Sequence, residues 1–573
     1  MTPEAIRHKI IETVGTNGGH LASSLGAVEI AMALAEVFDP VKDRVVWDVG
    51  HQAYAWKILT GRDERFCTLR QSGGISPFPT PLESPADPAV CGHAGVALSV
   101  AQGLAAARDA LKSPRHVVAV VGDAAIANGT SFEALNNCAA ACSKVIIVLN
   151  DNEMSISKPC GSLSRMLGKL ITGVRYNRIK AAAEAAGHRM KLTPLRGFYH
   201  KLESRIKSWF LGNAVFERFS IRYIGPVDGH DLKALKSAFT VAKEDKHSVI
   251  VHVTTKKGKG YEPAEKDPTA WHGVGPFAVA AQAKSRDWSA AAGDALTEAA
   301  RRDERIVALV AGMKSGTGLD AFAEEFPRRF HDVGIAEGHL VAFASGLAAG
   351  GMKPVVAIYS TFLQRAVDQV MHDVAIASRP VVFLVDRAGV VGADGATHQG
   401  VFDIAMLRCL PNVVICQPVD EKELKALFEE ALEREAPTFI RYPRGAVAAD
   451  AGVGHIPAGA LAVELANPES PVQIWALGDQ LDKAREVAAA TGAGVVYARY
   501  VKPFDAQLLA RQRAAGKRIV SLENGCIAGG FGEAIGAELK FGWPDEFIEH
   551  GGQGELEKKH GFDASSIMEV ING

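Results

Sequence analysis

The chain has 573 residues, 47% of them hydrophobic and 22% charged, with 57 glycines; that is enough for roughly three to four domains and excludes a disordered or fibrous protein. Sixty-three Lys and Arg against 65 Asp and Glu leave a net charge of -2, which offers no bulk positive field to a nucleic-acid partner. Eight scattered cysteines form no CxxC pair, the opening MTPEAIRHKI lacks the apolar core of a secretion signal, and no apolar run is long enough for a membrane span. A cytoplasmic protein with neither a disulfide framework nor a membrane partner is expected.

From the N-terminus onward, short apolar runs ending in Gly, Asp or Asn alternate with Ala/Leu/Glu-rich helical segments, the rhythm of doubly wound α/β sheets. Strands are predicted at 116–121 and 144–149, joined by a helix through 132–142, and again at 249–254. Cys138 and Cys142, spaced i, i+4 on that helix, read as packed neighbours. The first domain is expected over 1–276. A second series, with a helix at 290–301 and strands at 306–310, 355–359, 381–385 and 413–416, fills 287–446 and ends in RYPRG (441–445). The Ala, Gly and Pro-rich stretch 446–471 reads as a linker. Strands at 472–476, 495–500 and 518–522 then make a third domain over 465–573. One stretch departs from the neutral average: 165–207 carries eleven Lys and Arg against two Glu. It fits either a solvated helical surface or a basic flap that attracts phosphorylated ligands.

The densest local signal is HVVAVVGDAAIANGTSFEALNN followed by LNDNEMSIS. A strand, helix, strand unit places Asp123 and Asn152 side by side at the carboxyl edge of the sheet, where open α/β sheets bind ligands. A carboxylate, an amide oxygen and a nearby backbone carbonyl are hard donors suited to Mg²⁺ and, through it, a diphosphate. The same residues also read as ordinary turn chemistry. GGFGEAIG (529–536) lacks the spacing and the downstream acid of a dinucleotide fingerprint and reads as turn and helix-packing glycines. The histidines show neither HExxH nor short metal-ligand spacing.

These strings, with GGHLASSLG (18–26), VVWDVGHQAY (45–54), YIGPVDGHD (223–231), KKGKGYEPAEKDP (256–268), DVGIAEGH (332–339), AIYSTFLQRA (357–366), DRAGVVGADGATHQG (386–400) and RYPRG, resemble the 1-deoxy-D-xylulose-5-phosphate synthase family over nearly the whole chain. The resemblance implies three doubly wound α/β domains of transketolase type, thiamine diphosphate and Mg²⁺ as cofactors, and a homodimer. It also implies decarboxylative condensation of pyruvate with D-glyceraldehyde 3-phosphate, the entry to a non-mevalonate isoprenoid route. Carried over by motif, Asp123, Asn152 and Met154 would hold the metal. His51, Gly92, His93, Gly122, Ala124, Ala125, Lys256 and Phe362 would line the cofactor. Glu337 would face the aminopyrimidine, and His20, His272 and His398 would move protons. Ser23, Tyr359, Arg365, Arg387, Asp394, Arg441 and Arg444 would meet substrate, guanidinium forks suiting its phosphate; the motif does not decide between Arg441 and Arg444 for that phosphate, and Arg444 is chosen.

Three departures adjoin the cofactor motifs: the family's GDG is Gly122-Asp123-Ala124, its GHSSTS is GHAGVA (92–97), and its EQH is Glu337-Gly338-His339. They leave open a paralogue with a different donor or phosphorylated acceptor, or a catalytically weak cofactor-binding protein.

Overall fold

A computed structural model describes residues 1–152, 214–278, 285–457 and 459–572. By their internal contacts these form two compact units, Met1–Leu69 with Phe78–Val279, and Arg70–Pro77 with Ala280–Gly573.

The first unit is built on β1 (Arg44–Trp47), β2 (Val117–Gly122), β3 (Ile146–Asp151), β4 (Arg222–Asp228) and β5 (Val249–Thr254). They lie in the order β1-β2-β3-β5-β4, every pairing parallel. β2, β3 and β5 are runs of Val and Ile buried on both faces, as a parallel sheet covered by helices requires. Each such side chain contributes roughly 1.5–3 kcal/mol by leaving water. The helix Gly129–Ala141 follows β2 after a one-turn 3₁₀ segment, Ala125–Ala127, and Asn128 caps it by accepting the N–H of Thr130. Asp231 caps Leu232–Glu244 in the same way, accepting from Lys233 and Ala234. β1 and β4 were not expected. β1 is only four residues long, and β4 is interrupted by Gly225-Pro226, where its register against β5 shifts.

In the second unit, β6 (Ile306–Val310), β7 (Phe330–Asp332), β8 (Lys353–Tyr359), β9 (Val382–Asp386), β10 (Val414–Cys416) and β11 (Thr438–Arg441) form one sheet. β12 (Ala462–Ala466), β13 (Val472–Leu477) and β14 (Gly494–Ala498) begin the next. The chain then returns to the first of these as β15 (Tyr500–Lys502) before completing the other with β16 (Arg518–Cys526) and β17 (Leu539–Trp543). The orders are β15-β10-β11-β9-β8-β6-β7 and β12-β14-β13-β16-β17. Phe383 of β9 stacks on Phe439 of β11 with ring centroids 4.3 Å apart.

Two sequence expectations are corrected here. The single strand 495–500 is two strands in two sheets, broken at Arg499, whose buried guanidinium pairs with Glu423 and Glu430 and donates to the carbonyl of Ala460. The linker 446–471 contains β12, an edge strand antiparallel to β14. Its five residues, four of them half-buried, make too short a pattern to stand out from an Ala/Gly background. Among the described residues no helix is long and apolar enough to cross a membrane. Met154 and the basic stretch 165–207 lie outside the described residues.

Candidate active site

In the first unit the register Gly122↔Asn150 between β2 and β3 sets Asp123 and Asn152 on adjacent strand ends at the carboxyl edge. Asp123 is buried, and burial pushes its carboxyl up to about 7, with the charge of Asp151 adding to the effect. Asp151 in turn holds His252 (Oδ2 to Nε2, 3.0 Å), and His252 meets the hydroxyl of Tyr223 at 2.7 Å. A buried carboxylate in this state is a receptor for positive charge.

Part of that charge comes from a lysine that the sequence reading placed one residue away. Lys256 turns outward and pairs with Glu265, its side chain 55% exposed. Lys257 is buried, its ammonium drawn down to about 8 by desolvation while Asp123 opposes the shift. His230 decides between the two: its Nε2 accepts the N–H of Lys256 at 2.8 Å, while Nδ1 faces Glu29 at 3.2 Å. Lys256, expected at the cofactor, thus pairs with Glu265 at the surface, and Lys257 is the lysine buried near Asp123.

The loop after Cys91 is strung on Asp48, which accepts the N–H groups of Gly95 (2.8 Å) and Ala97 (3.0 Å). Gly92 and Gly95 have φ of +149° and +82°, values an L side chain resists. A Cβ at Gly95 would fall 2.4 Å from Oδ1 of Asn128. The change from the family's serine at 95 is thus coupled to a second residue that the sequence did not single out. At Gly122 a Cβ would meet nothing within 4 Å, so the strand end is open to an approaching group. Ala124 has φ -76° and ψ -37°, ordinary helical values, so that position makes no demand for glycine.

Three imidazoles converge beside this edge. His20 lies 6.0 Å from His51 and 5.7 Å from His272, and His51 lies 5.2 Å from His272, measured between ring centroids. Desolvation, reinforced by their mutual repulsion and by Lys257, holds His51 and His272 well below the ordinary imidazole value, so both are neutral. Ser23 Oγ is 3.3 Å from Nδ1 of His272. Nδ1 of His51 is shut off from water and has no hydrogen-bond partner among the described residues.

In the second unit Glu337 opens the helix Glu337–Ala349, and its buried carboxylate accepts from Nε of Arg365 at 3.0 Å. Arg365, expected at the substrate, gives its Nε–H to Glu337. Arg441, also expected at the substrate, is 1% exposed and spends four of its five N–H donors on Asp403, Gln417 and the carbonyl of Asn524. The guanidiniums that do converge are Arg387, Arg444 and Arg70. Arg387 sits 4.1 Å over the ring of Tyr359. Arg444 is drawn below the usual arginine range by burial and by the charges of Arg387 and Arg70, with Asp394 opposing. Arg70 pairs with Asp394. It belongs to the short segment Arg70–Pro77 that packs with the second unit although its neighbours in sequence pack with the first, and no local pattern announces that. His398 is pushed down to about 4 by burial, Arg387 and Arg70, against the opposing charge of Asp394. Phe362 stacks on Tyr359 (5.7 Å) and meets His398 edge to face (5.8 Å).

At the helix start within GGFGEAIG the N–H groups of Phe531 and Gly532 donate to the buried carboxyl group of Glu523 at 2.7 and 2.8 Å, so one of the chain's own side chains fills it.

Comparison with known proteins agrees with this layout. Residues 284–449 match the family model of the transketolase pyrimidine-binding domain, and 462–567 match that of the transketolase C-terminal domain. The molecule is of the transketolase class, a transferase of three α/β domains that uses thiamine diphosphate with a divalent metal ion. Residues 2–255 match the model described as 1-deoxy-D-xylulose-5-phosphate synthase. A curated 1-deoxy-D-xylulose-5-phosphate synthase 1 from Geobacter metallireducens is 43% identical over 98% of this chain and 94% of its own length. One from Polaromonas sp. is 44% identical over 99% and 92%. The chain belongs to the 1-deoxy-D-xylulose-5-phosphate synthase family. Among solved structures, transketolase from Leishmania mexicana aligns over 100% of this chain and 97% of its own, at 19% identity and TM-score 0.45.

The residues present fit the cofactor. Asp123 is a buried carboxylate in want of a cation, Gly122 leaves open space at the strand end, and Nδ1 of His51 is a buried polar atom with no partner among the described residues.

Proposed function

We propose that this chain condenses pyruvate with D-glyceraldehyde 3-phosphate, releasing CO₂ and forming 1-deoxy-D-xylulose 5-phosphate, with the residues of the two clusters in the roles that follow. The observation that carries the reading is the buried Asp123 beside Asn152 and Lys257 in a chain of this family. When bound, thiamine diphosphate supplies the nucleophilic carbon and the electron sink that decarboxylation of pyruvate needs.

Asp123 and Asn152 hold the metal, and Lys257 faces the diphosphate. Glu337 holds a proton at the pyrimidine N1′, and Arg365 keeps its carboxylate oriented. His20 and His272 take and return protons at the reacting carbon, and His51 lines the cofactor; burial keeps His272 and His51 neutral. Arg387 and Arg444 grip the acceptor phosphate, while Arg70 positions Asp394 and His398 contacts the acceptor's hydroxyls. Supplying the protein with pyruvate, glyceraldehyde 3-phosphate, Mg²⁺ and thiamine diphosphate should yield CO₂ and deoxyxylulose phosphate in equal amounts. Bound cofactor without CO₂ would overturn the assignment.

Domain limits of 1–276, 287–446 and 465–573 are supported by the three sheets and by the spans 2–255, 284–449 and 462–567 of the matched families. A homodimer is supported by the helix Glu337–Ala349. Beyond Glu337 it carries no Asp, Glu, Lys or Arg, yet it leaves Ala342, Gly346 and Ala349 exposed, a face suited to another chain rather than to water. Sedimentation at micromolar concentration should give twice the chain mass. A cytoplasmic setting is supported by seven free thiols among the described residues.

A further inference from the structure

We infer that Asn524, at the carboxyl end of β16 in the third sheet, is a positioning residue that sets the acceptor-binding loop 387–400; this rests on the acceptor reading given above. In an open α/β sheet the ligand crevice lies at the carboxyl ends of the strands where the winding reverses. In the order β12-β14-β13-β16-β17 that point falls between β13 and β16. The residues there are Asp479, just beyond β13, and Glu523 and Asn524, where the register of β16 against β17 shifts.

The crevice is filled by the protein's own loop. Gly389, at φ +83°, approaches so closely that a Cβ would fall 2.2 Å from Cγ of Asn524. Oδ1 of Asn524 accepts the N–H of Val390 (3.1 Å) and Nε1–H of Trp543 (2.8 Å), and its Nδ2 donates to Asp479 (2.9 Å). Two donors on one side and a carboxylate on the other fix the orientation of the amide. The loop is tied off by paired backbone bonds between Gly389 and Gly400 (2.8 and 2.7 Å). Gln399 braces its middle by accepting from Val391 at 2.7 Å while donating to the carbonyl of Glu549 at 3.1 Å. Arg387 stands at one end of this braced loop, and Asp394 and His398 stand within it. The ligand edge of the third sheet thus serves as a mould for the acceptor site.

A misplacement of about 1 Å in a positioned group costs on the order of a hundredfold, and the loss belongs to the acceptor alone. In the cofactor-loaded enzyme, Asn524→Ala is expected to raise the KM for glyceraldehyde 3-phosphate about ten- to a hundredfold. The KM for pyruvate should stay within about twofold, as should thiamine diphosphate affinity measured by tryptophan fluorescence titration. Asn524→Asp combined with Asp479→Asn reverses the hydrogen-bonded pair and should return the acceptor KM towards the wild-type value. Gly389→Ala, which pushes the loop off without altering the sheet, should reproduce the acceptor defect if Asn524→Ala does not fold. Folded variants with an unchanged acceptor KM, or with equal rises for both substrates, overturn the inference alone. A wild-type enzyme that does not saturate with the aldehyde overturns the acceptor reading and this inference with it.

Discussion

Arg387 and Arg441 look alike as sequence, each an arginine in a distinctive string, and their surroundings separate them. Arg387 holds a left-handed backbone (φ +57°) and lays its guanidinium on Tyr359, whereas Arg441 spends its donors inside the fold. Losing a hydrogen bond to a charged group costs about 1.5–3 kcal/mol. Arg387→Ala should therefore raise the KM for the phosphorylated aldehyde by roughly ten- to a hundredfold and leave that for pyruvate nearly unchanged; steady-state kinetics with each substrate varied in turn would show it, and matched rises would sink the phosphate role. Arg441→Ala should instead expose itself in thermal unfolding, since it strands the buried carboxylate of Asp403. At the other cluster, Lys257→Ala should weaken thiamine diphosphate binding markedly in a direct titration while Lys256→Ala leaves it unchanged. Equal effects would return the role to Lys256.

At the scale of elements, the loop 92–97 and the helix start at Phe531 show how backbone amides are assigned. Asp48 takes two of the loop's N–H groups, and Asn128 lies against the Cα of Gly95. Restoring the family's serine by Gly95→Ser should destabilise the protein by about 1–3 kcal/mol, from the strained φ together with overpacking. Adding Asn128→Ala should recover part of that loss, and strictly additive melting data would show the two sites to be independent. At the other helix start Glu523 is pushed up from 4.5 to about 7 chiefly by burial, with the N–H groups of Gly532 and Phe531 opposing. The native state keeps this proton to higher pH than the unfolded chain does. Its contribution is thus full below the unfolded value of 4.5 and is lost as pH rises towards 7, at about 1.4 kcal/mol per pH unit across that window. Glu523→Gln should flatten the urea-derived stability between about pH 5 and 7; an unchanged slope would refute the shift.

For the whole molecule, ligand linkage joins cofactor binding to stability. Thiamine diphosphate with Mg²⁺ at about a hundred times its Kd should add about 2.7 kcal/mol, seen as a higher melting temperature that EDTA abolishes. Asp123→Asn should show neither effect, and a full shift in that variant would remove Asp123 from the metal site. The alternation of buried strand and amphipathic helix, the adjacency of Asp123 and Asn152, and the family itself were legible in the sequence, because hydrophobic period and turn chemistry are local and a motif of many residues carries its own register. The burial of Lys257 rather than Lys256, the ion pairs that Arg365 and Arg441 make within the fold, the arrival of Arg70 and the closeness of Gly95 to Asn128 were not. Each depends on which way a side chain faces once elements distant in sequence have packed, and on how desolvation there decides whether a charge finds its partner in the fold or keeps a donor for a ligand.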